Sequence, residues 1–214
     1  MNGKIWLLPC LAVALACPLP APAQKYPDKP IRLVVAFPTG SPYILALLLS
    51  EKLREPLGQP VVPDFRGGAG GNLAAEIVAK APADGYTLLL TSATIVISPS
   101  LFPKLGYDTF RDFAPVTLLA TVPNVPTTAE AGMPELVVIT WYGLFAPAGV
   151  KPDIIERLNS EFVSAMNAPD TRGKLAKMEL DVATSTPAET ARFVRAEFER
   201  WARVIREAGI KPAQ

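Results

Sequence analysis

IRLVVAFPTGSPYILALLLSEKL, residues 31–53, decides the fold class. Ile31 to Phe37 is a continuous apolar run without alternation, the pattern of a strand buried on both faces. Pro38-Thr39-Gly40-Ser41-Pro42 breaks the run. Tyr43 to Leu53 then reads as a helix with Ile44, Leu47, Leu48 and the later leucines inside, and Gly58 ends it. The same alternation continues. Val61-Val62 starts a second short strand, Arg66 to Asn72 (RGGAGGN) is a glycine loop, and Leu73 to Lys80 is a second helix. After the Asp84-Gly85 turn, Tyr86 to Thr91 is a third strand, closed by Ser92-Ala93-Thr94. Strands alternating with helices in this way predict an α/β fold, a mainly parallel sheet with helices on both faces.

Past Pro99 the pattern loosens into a stretch punctuated by Leu101, Phe102, Tyr107, Phe110 and Phe113. A fourth strand is expected over Ala114–Thr121 and a fifth over Val137–Phe145. Between them lies TVPNVPTTAEAGMPEL, Thr121 to Leu136, which periodicity alone leaves as a proline-rich loop. The C-terminal third is helical. Pro152 opens a helix that places Ile154, Leu158, Phe162 and Met166 on one face. Thr186-Pro187-Ala188-Glu189 is a capping box. The helix it starts carries Val194, Phe198, Trp201, Ile205 and Ala208 on one core-facing row, and Gly209 stops it.

The N-terminus reads as a cleavable export signal. Lys4 supplies the positive start, Ile5 to Cys17 is an apolar run too short for a bilayer span, and Ala21-Pro22-Ala23 is a cleavage site. Residues 1–23 are therefore expected to leave before folding, and the product to be periplasmic; a membrane anchor is the alternative. A lipoprotein is not expected, since Ala14 rather than leucine stands three before Cys17 and Pro18 follows it. Half of the chain is apolar and 19% is charged, a globular rather than a disordered composition. Loss of Lys4 takes the 21 basic residues to 20, against 20 acidic ones. Such a neutral chain has no bulk electrostatic pull toward nucleic acid or anionic lipid.

The chain has no histidine, and both cysteines, Cys10 and Cys17, lie in the predicted leader. That removes the commonest general base, the commonest metal ligand and any thiolate nucleophile from the mature protein. No catalytic residue, metal site or cofactor is expected, and the protein is not expected to be an enzyme. What remains is a set of loops. RGGAGGN sits between a strand and a helix, where free backbone N–H groups and a helix N-terminus can face an anion. It is not a dinucleotide fingerprint, because Leu73 occupies the sixth position from Gly68, and it is not a P-loop, because Asn72-Leu73 follows the last glycine. It is either a small anion-binding nest or a tight turn. Phe37-Pro38-Thr39-Gly40-Ser41 and Ser92-Ala93-Thr94 are two further loops at carboxyl ends of strands, the edge at which open α/β sheets bind ligands. Each alone is ordinary turn chemistry. Three together, rich in hydroxyls and glycine, predict a site for a ligand carboxylate. Its residues are Phe37, Thr39, Gly40, Ser41 and Tyr43 from the first loop, Gly70, Gly71 and Asn72 from the second, and Ser92, Ala93 and Thr94 from the third.

The blocks Tyr26–Val35, FPTGS, LGQPVV, RGGAGGN, ADGYTLLL and FAPVTLLATVPNV resemble, in order, the periplasmic receptors of tripartite tricarboxylate transporters, the Bug or TctC family. PTTAEAGMPE, WYGLFAPAGVKPDIIERLN and TPAETARFVRAEFERWARVIREAGIK continue the match through the C-terminal part. The resemblance implies a periplasmic-binding-protein type II-like fold, in which two α/β lobes trap a small carboxylate and deliver it to a membrane permease. Two departures stand out. The family loop FPPGGSTD is here FPTGSPYI, one residue shorter and without the aspartate. In the family, moreover, the strand ending VPNV leads into a second lobe, whereas here Val125 is followed directly by Pro126. About 100 residues, an ordinary domain, are missing by that comparison.

The resemblance thus implies one lobe, residues 24–214, built from 24–122 and 127–214 and joined by a shortened crossover at 121–136. It is expected to be monomeric. Apolar surface near Leu118, Val122 and Trp141 is expected to be uncovered by the loss. Two functions follow as alternatives: a solute receptor for a small carboxylate, impaired by loss of one lobe, or a degenerate truncated fragment that binds nothing or serves as an interaction module.

Overall fold

The computed structural model describes residues 25–122 and 140–212. The predicted leader and residues 123–136 of the predicted crossover lie outside these, as do the first three residues of the expected fifth strand. Among the described residues six strands form one sheet: β1 (Ile31–Val35), β2 (Val61–Phe65), β3 (Thr87–Ser92), β4 (Phe113–Val122), β5 (Thr140–Pro147) and β6 (Asp181–Val182). Their order is β2-β1-β3-β5-β4-β6. The helices are α1 (Ser41–Leu57), α2 (Asn72–Ala79), α3 (Thr94–Leu101), α4 (Pro152–Asn167), α5 (Pro169–Ala176) and α6 (Pro187–Glu207).

The first half is the expected unit. β1 pairs in parallel with both β2 and β3. The second half turns back on itself: β5 is antiparallel to β3 and to β4, and β4 is antiparallel to β6. Strands β1 to β4 therefore point one way and β5 and β6 the other. Pro63 sits within β2, which the ladder tolerates because β2 is an edge strand.

Helices cover both faces. Ile31, Leu33, Val35, Leu88 and Leu90 pack with α1, α4 and α5 on one side. Val34, Ala36, Leu89, Trp141 and Phe145 pack with α2, α3 and α6 on the other. The odd and even residues of β1 thus part cleanly between two cores, which is why its sequence shows no polar alternation.

Four expectations are corrected. First, α1 is rotated from its predicted phase: Leu45, Ala46, Leu48, Leu49 and Leu53 are buried, while Ile44 and Leu47 are each 44% exposed. Residues 44–49 are apolar all round, so no periodicity could fix which side faces β2 and α4. Second, Thr94–Leu101 is a helix, although Pro99 lies inside it; its eight residues are too short and too uniformly apolar to show a period. Third, Ala208 is exposed at the end of α6. Gly209, at φ +64°, still terminates the helix as expected. Fourth, the surface near Trp141 is covered. Trp141 is 0% and Leu118 8% exposed, and Val122 is half-buried. α6 lies over this region: Phe193 meets Trp141 edge to face at 5.4 Å, and the indole N–H donates to Glu197 Oε2 at 3.1 Å. Arg200 in turn holds Glu197 through two hydrogen bonds.

Candidate ligand-binding edge

Three parallel strands end at one edge, and each hands the chain to a helix. β1 leads through residues 36–40 to α1, β2 through 66–71 to α2, and β3 through Ala93 to α3. The loops begin in register. The Arg66 N–H donates to the Val35 carbonyl at 2.9 Å and the Ala36 N–H to the Leu90 carbonyl at 3.0 Å.

Gly71 is where the loops meet. A Cβ there would lie 3.2 Å from the Ala36 Cβ, 3.2 Å from the Phe37 Cζ and 3.5 Å from the Thr94 Oγ1. Its φ is +93°, a conformation that side chains disfavour. One backbone thus touches both other loops, and only glycine permits the approach. Gly67 is equally close to Pro38, with a Cβ position 2.9 Å from its Cδ.

The first turns of these helices share a second property. α1, α2 and α3 carry neither a side-chain cap nor an acidic residue in the first turn. Their N-caps are Gly40, Gly71 and Ala93. The positive ends of three helix dipoles have no acidic side chain in the first turn to complement them, although the Thr94 N–H donates to Ser92 Oγ at 3.5 Å and the Asn72 N–H to the Ala69 carbonyl.

Side chains around the edge are neutral. Ser92 Oγ and Thr94 Oγ1 are 3.4 Å apart. Tyr43 is 38% exposed, with its ring against Phe65 at 4.8 Å. Asn72 is buried, and its Oδ1 accepts from the Tyr107 hydroxyl at 2.8 Å. Burial pushes the Tyr107 hydroxyl up to about 12, against a smaller opposing pull from Ser98, so it donates as a neutral phenol. The loop's own cation, Arg66, donates to Asp64 Oδ1 at 2.8 Å, and Arg32 Nε donates to Oδ2 of the same carboxylate at 2.8 Å. Burial tends to raise the Asp64 carboxyl, but its bonds to Arg32 and Arg66 outweigh this and hold it below its ordinary value.

Of the residues expected from sequence, Phe37, Gly71 and Thr94 are in direct contact, with Ser92 beside Thr94. Ala93 is the N-cap of α3, and Ser41 is the first residue of α1, behind Gly40. Thr39 and Gly70 are exposed on their loops. Asn72 has its carbonyl oxygen committed to the protein interior rather than to the edge. The sequence reading missed Phe65, which supports Tyr43, and Tyr107, which supports Asn72. The only signal for Tyr107 was its place in an aromatic stretch that no periodicity ordered.

A family model described as "Tripartite tricarboxylate transporter family receptor" matches residues 45–123 and 118–210. The chain belongs to the tripartite tricarboxylate transporter receptor family. This receptor-family chain is matched in two pieces that overlap at residues 118–123, the end of β4 and the start of the expected crossover. Its relatives include a protein from Pseudomonas sp. strain P51 encoded in the tcbD-tcbE intergenic region, 27% identical over 294 residues, covering 86% of this chain and 88% of the relative. Protein BugT of Bordetella pertussis is 26% identical over 303 residues, covering 90% and 93%. Both alignments are longer than the 214-residue chain, so stretches of each relative stand opposite gaps. Among solved structures, the periplasmic binding protein BugD superposes with a TM-score of 0.81 at 19% identity, over 88% of this chain and 100% of that one. MatC from Rhodopseudomonas palustris, solved with bound malate, gives 0.76 at 24% identity, over 84% and 100%. A further R. palustris protein, solved with adipate, gives 0.80 at 23% identity, over 88% and 100%. These likenesses establish the fold, a periplasmic-binding-protein type α/β architecture.

Proposed function

We propose that this member of a solute-binding receptor family binds a small carboxylate at the three-loop edge and works in the periplasm, as a monomer, with a membrane permease. The observation that carries the reading is the meeting of the three loops at Gly71, together with the acid-free first turns of the helices they lead into. A carboxylate supplies the negative charge that those turns lack, and the hydroxyls of Ser41, Ser92 and Thr94 add neutral donors. The relatives solved with malate and adipate agree with this ligand class. Among the described residues no helix is long and apolar enough to cross a membrane.

The edge forms one wall. We further propose that a second lobe is missing at the crossover, which the two-piece family match and the gapped alignments support. A receptor of this kind encloses its ligand between two lobes. If an intact relative bound at about 1 μM, near −8 kcal/mol, half of those contacts would leave roughly −4 kcal/mol, a Kd of about 1 mM. Sequencing the locus across the codons for Thr121 to Leu136 tests the deletion, and a longer uninterrupted reading frame would remove it.

Titration calorimetry against malate, adipate and other non-aromatic dicarboxylates tests the receptor reading. Saturable heat at millimolar ligand is expected. Its absence would leave the alternative of a fragment that no longer binds, which the one-sided edge favours.

A further inference from the structure

A concave site lies at the end of the sheet opposite the three-loop edge, between the start of β4, the end of β5 and the first turns of α6. The cleft holds about 220 Å³. Phe113, Phe145 and Val194 are its buried floor, at 5%, 1% and 2% exposure, and the half-exposed Phe110 forms a wall. Phe113 and Phe145 meet edge to face at 6.4 Å, and Phe110 stands edge-on to Phe198 at 5.0 Å.

The lip is cationic. Arg192 and Arg195, three residues apart on α6, both line the cleft. Neither forms an ion pair with a described residue. Arg195 lies 4.6 Å above the Phe110 ring, and the acid that Arg192 influences, Glu189, is already bonded to Thr186. Among the described residues no acidic side chain lines the cleft, and the one side-chain hydroxyl there, Thr109, donates to the Ile95 carbonyl at 2.7 Å. Two guanidiniums without an ion pair among the described residues therefore stand at the mouth of an aromatic pocket whose one described polar side chain, Thr109, is already bonded.

We propose that this cleft binds an aryl monocarboxylate, with the ring on Phe113, Phe145 and Phe110 and the carboxylate between Arg192 and Arg195. Size permits it, since an apolar cavity of about 150 Å³ already admits benzene. Ring edges and faces suit the tilted phenylalanines better than a flexible alkyl chain does. A guanidinium pair is the favoured partner for one planar carboxylate. A second carboxylate is disfavoured, because the floor offers it no donor and burying it unpaired is unfavourable. The site is separate from the three-loop edge and does not rest on its function.

Binding of 4-fluorobenzoate to the full chain, followed by fluorine NMR, tests the proposal. Saturable binding is expected that excess malate does not displace. The double variant R192Q/R195Q should weaken it by about tenfold or more while leaving the far-UV spectrum unchanged, because both side chains are exposed. Cyclohexanecarboxylate should bind more weakly than the aromatic acid. The proposal is overturned if 4-fluorobenzoate does not bind, if malate displaces it, if the double variant binds equally well, or if the saturated ring binds as tightly. Failure of malate to bind anywhere would count against the three-loop edge and leave this site untouched.

Discussion

The N-termini of α1, α2 and α3 differ from those of α4, α5 and α6 in one respect. The first three have no acid in the first turn. The last three carry Asp153, Asp170 and Glu189 there, and α6 has a complete capping box between Thr186 and Glu189. Both groups pack on the same sheet and face the same electrostatic demand. Where the helix start serves the fold alone, the chain supplies its own negative charge. At the three-loop edge α1, α2 and α3 begin without that charge. The omission weakens each helix a little.

The strongest way to break this contrast is at Gly71. Gly71→Val places methyl groups into Ala36 and Phe37 at a positive φ. It should lower stability by about 2–4 kcal/mol, read from urea denaturation, and abolish carboxylate binding with it. An unchanged midpoint would mean that the loops need not meet there. Next is Ser41→Asp, which gives α1 the acid it lacks. Stability should rise by about 0.3–1 kcal/mol while carboxylate affinity falls by about tenfold, so the two readouts move in opposite directions. If both improve, the bare N-terminus is not a binding device. Thr186→Ala, on the capped side, should lower stability by about 1 kcal/mol and leave ligand heats as they were. The smallest effect is a pH dependence. Bonds from the Thr186 N–H and hydroxyl hold Glu189 below its ordinary value of 4.5. A depressed folded-state value gives stability that is present above pH 4.5 and lost as pH falls through the folded value. The stability difference between the wild type and Glu189→Gln, measured by thermal melts across this range, should therefore shrink on acidification. A constant difference would mean that the carboxylate charge contributes nothing.

Much of the fold was legible before any coordinates. The unbroken apolar run at Ile31–Phe37 announced a strand covered on both sides, and the split of β1 between two cores is its cause. The capping box fixed the start of α6, because its hydrogen bonds join residues three apart. Gly58 and Gly209 marked helix ends, each in the left-handed conformation that glycine tolerates. The loops at the ends of β1, β2 and β3 were legible for the same reason, since turn chemistry is written in adjacent residues.

What the sequence alone determined is local: the elements, their caps and the alternation that makes the fold α/β. Tertiary structure decided everything set by partners distant in the chain. The side of α1 that faces inward depended on β2 and α4, because an all-apolar segment has no preferred face. The direction of β5 depended on pairing with β3, fifty residues earlier in the chain. The surface at Trp141, expected to be uncovered, is covered, because α6 returns from fifty-six residues away to set Phe193 against the indole and Glu197 at its N–H. Gly71 could be recognised as a loop glycine from its neighbours, but its contacts with Phe37 and Thr94 join loops on three different strands. Hydrogen bonds within a turn are encoded where they act, whereas packing between elements is settled only when the whole sheet closes.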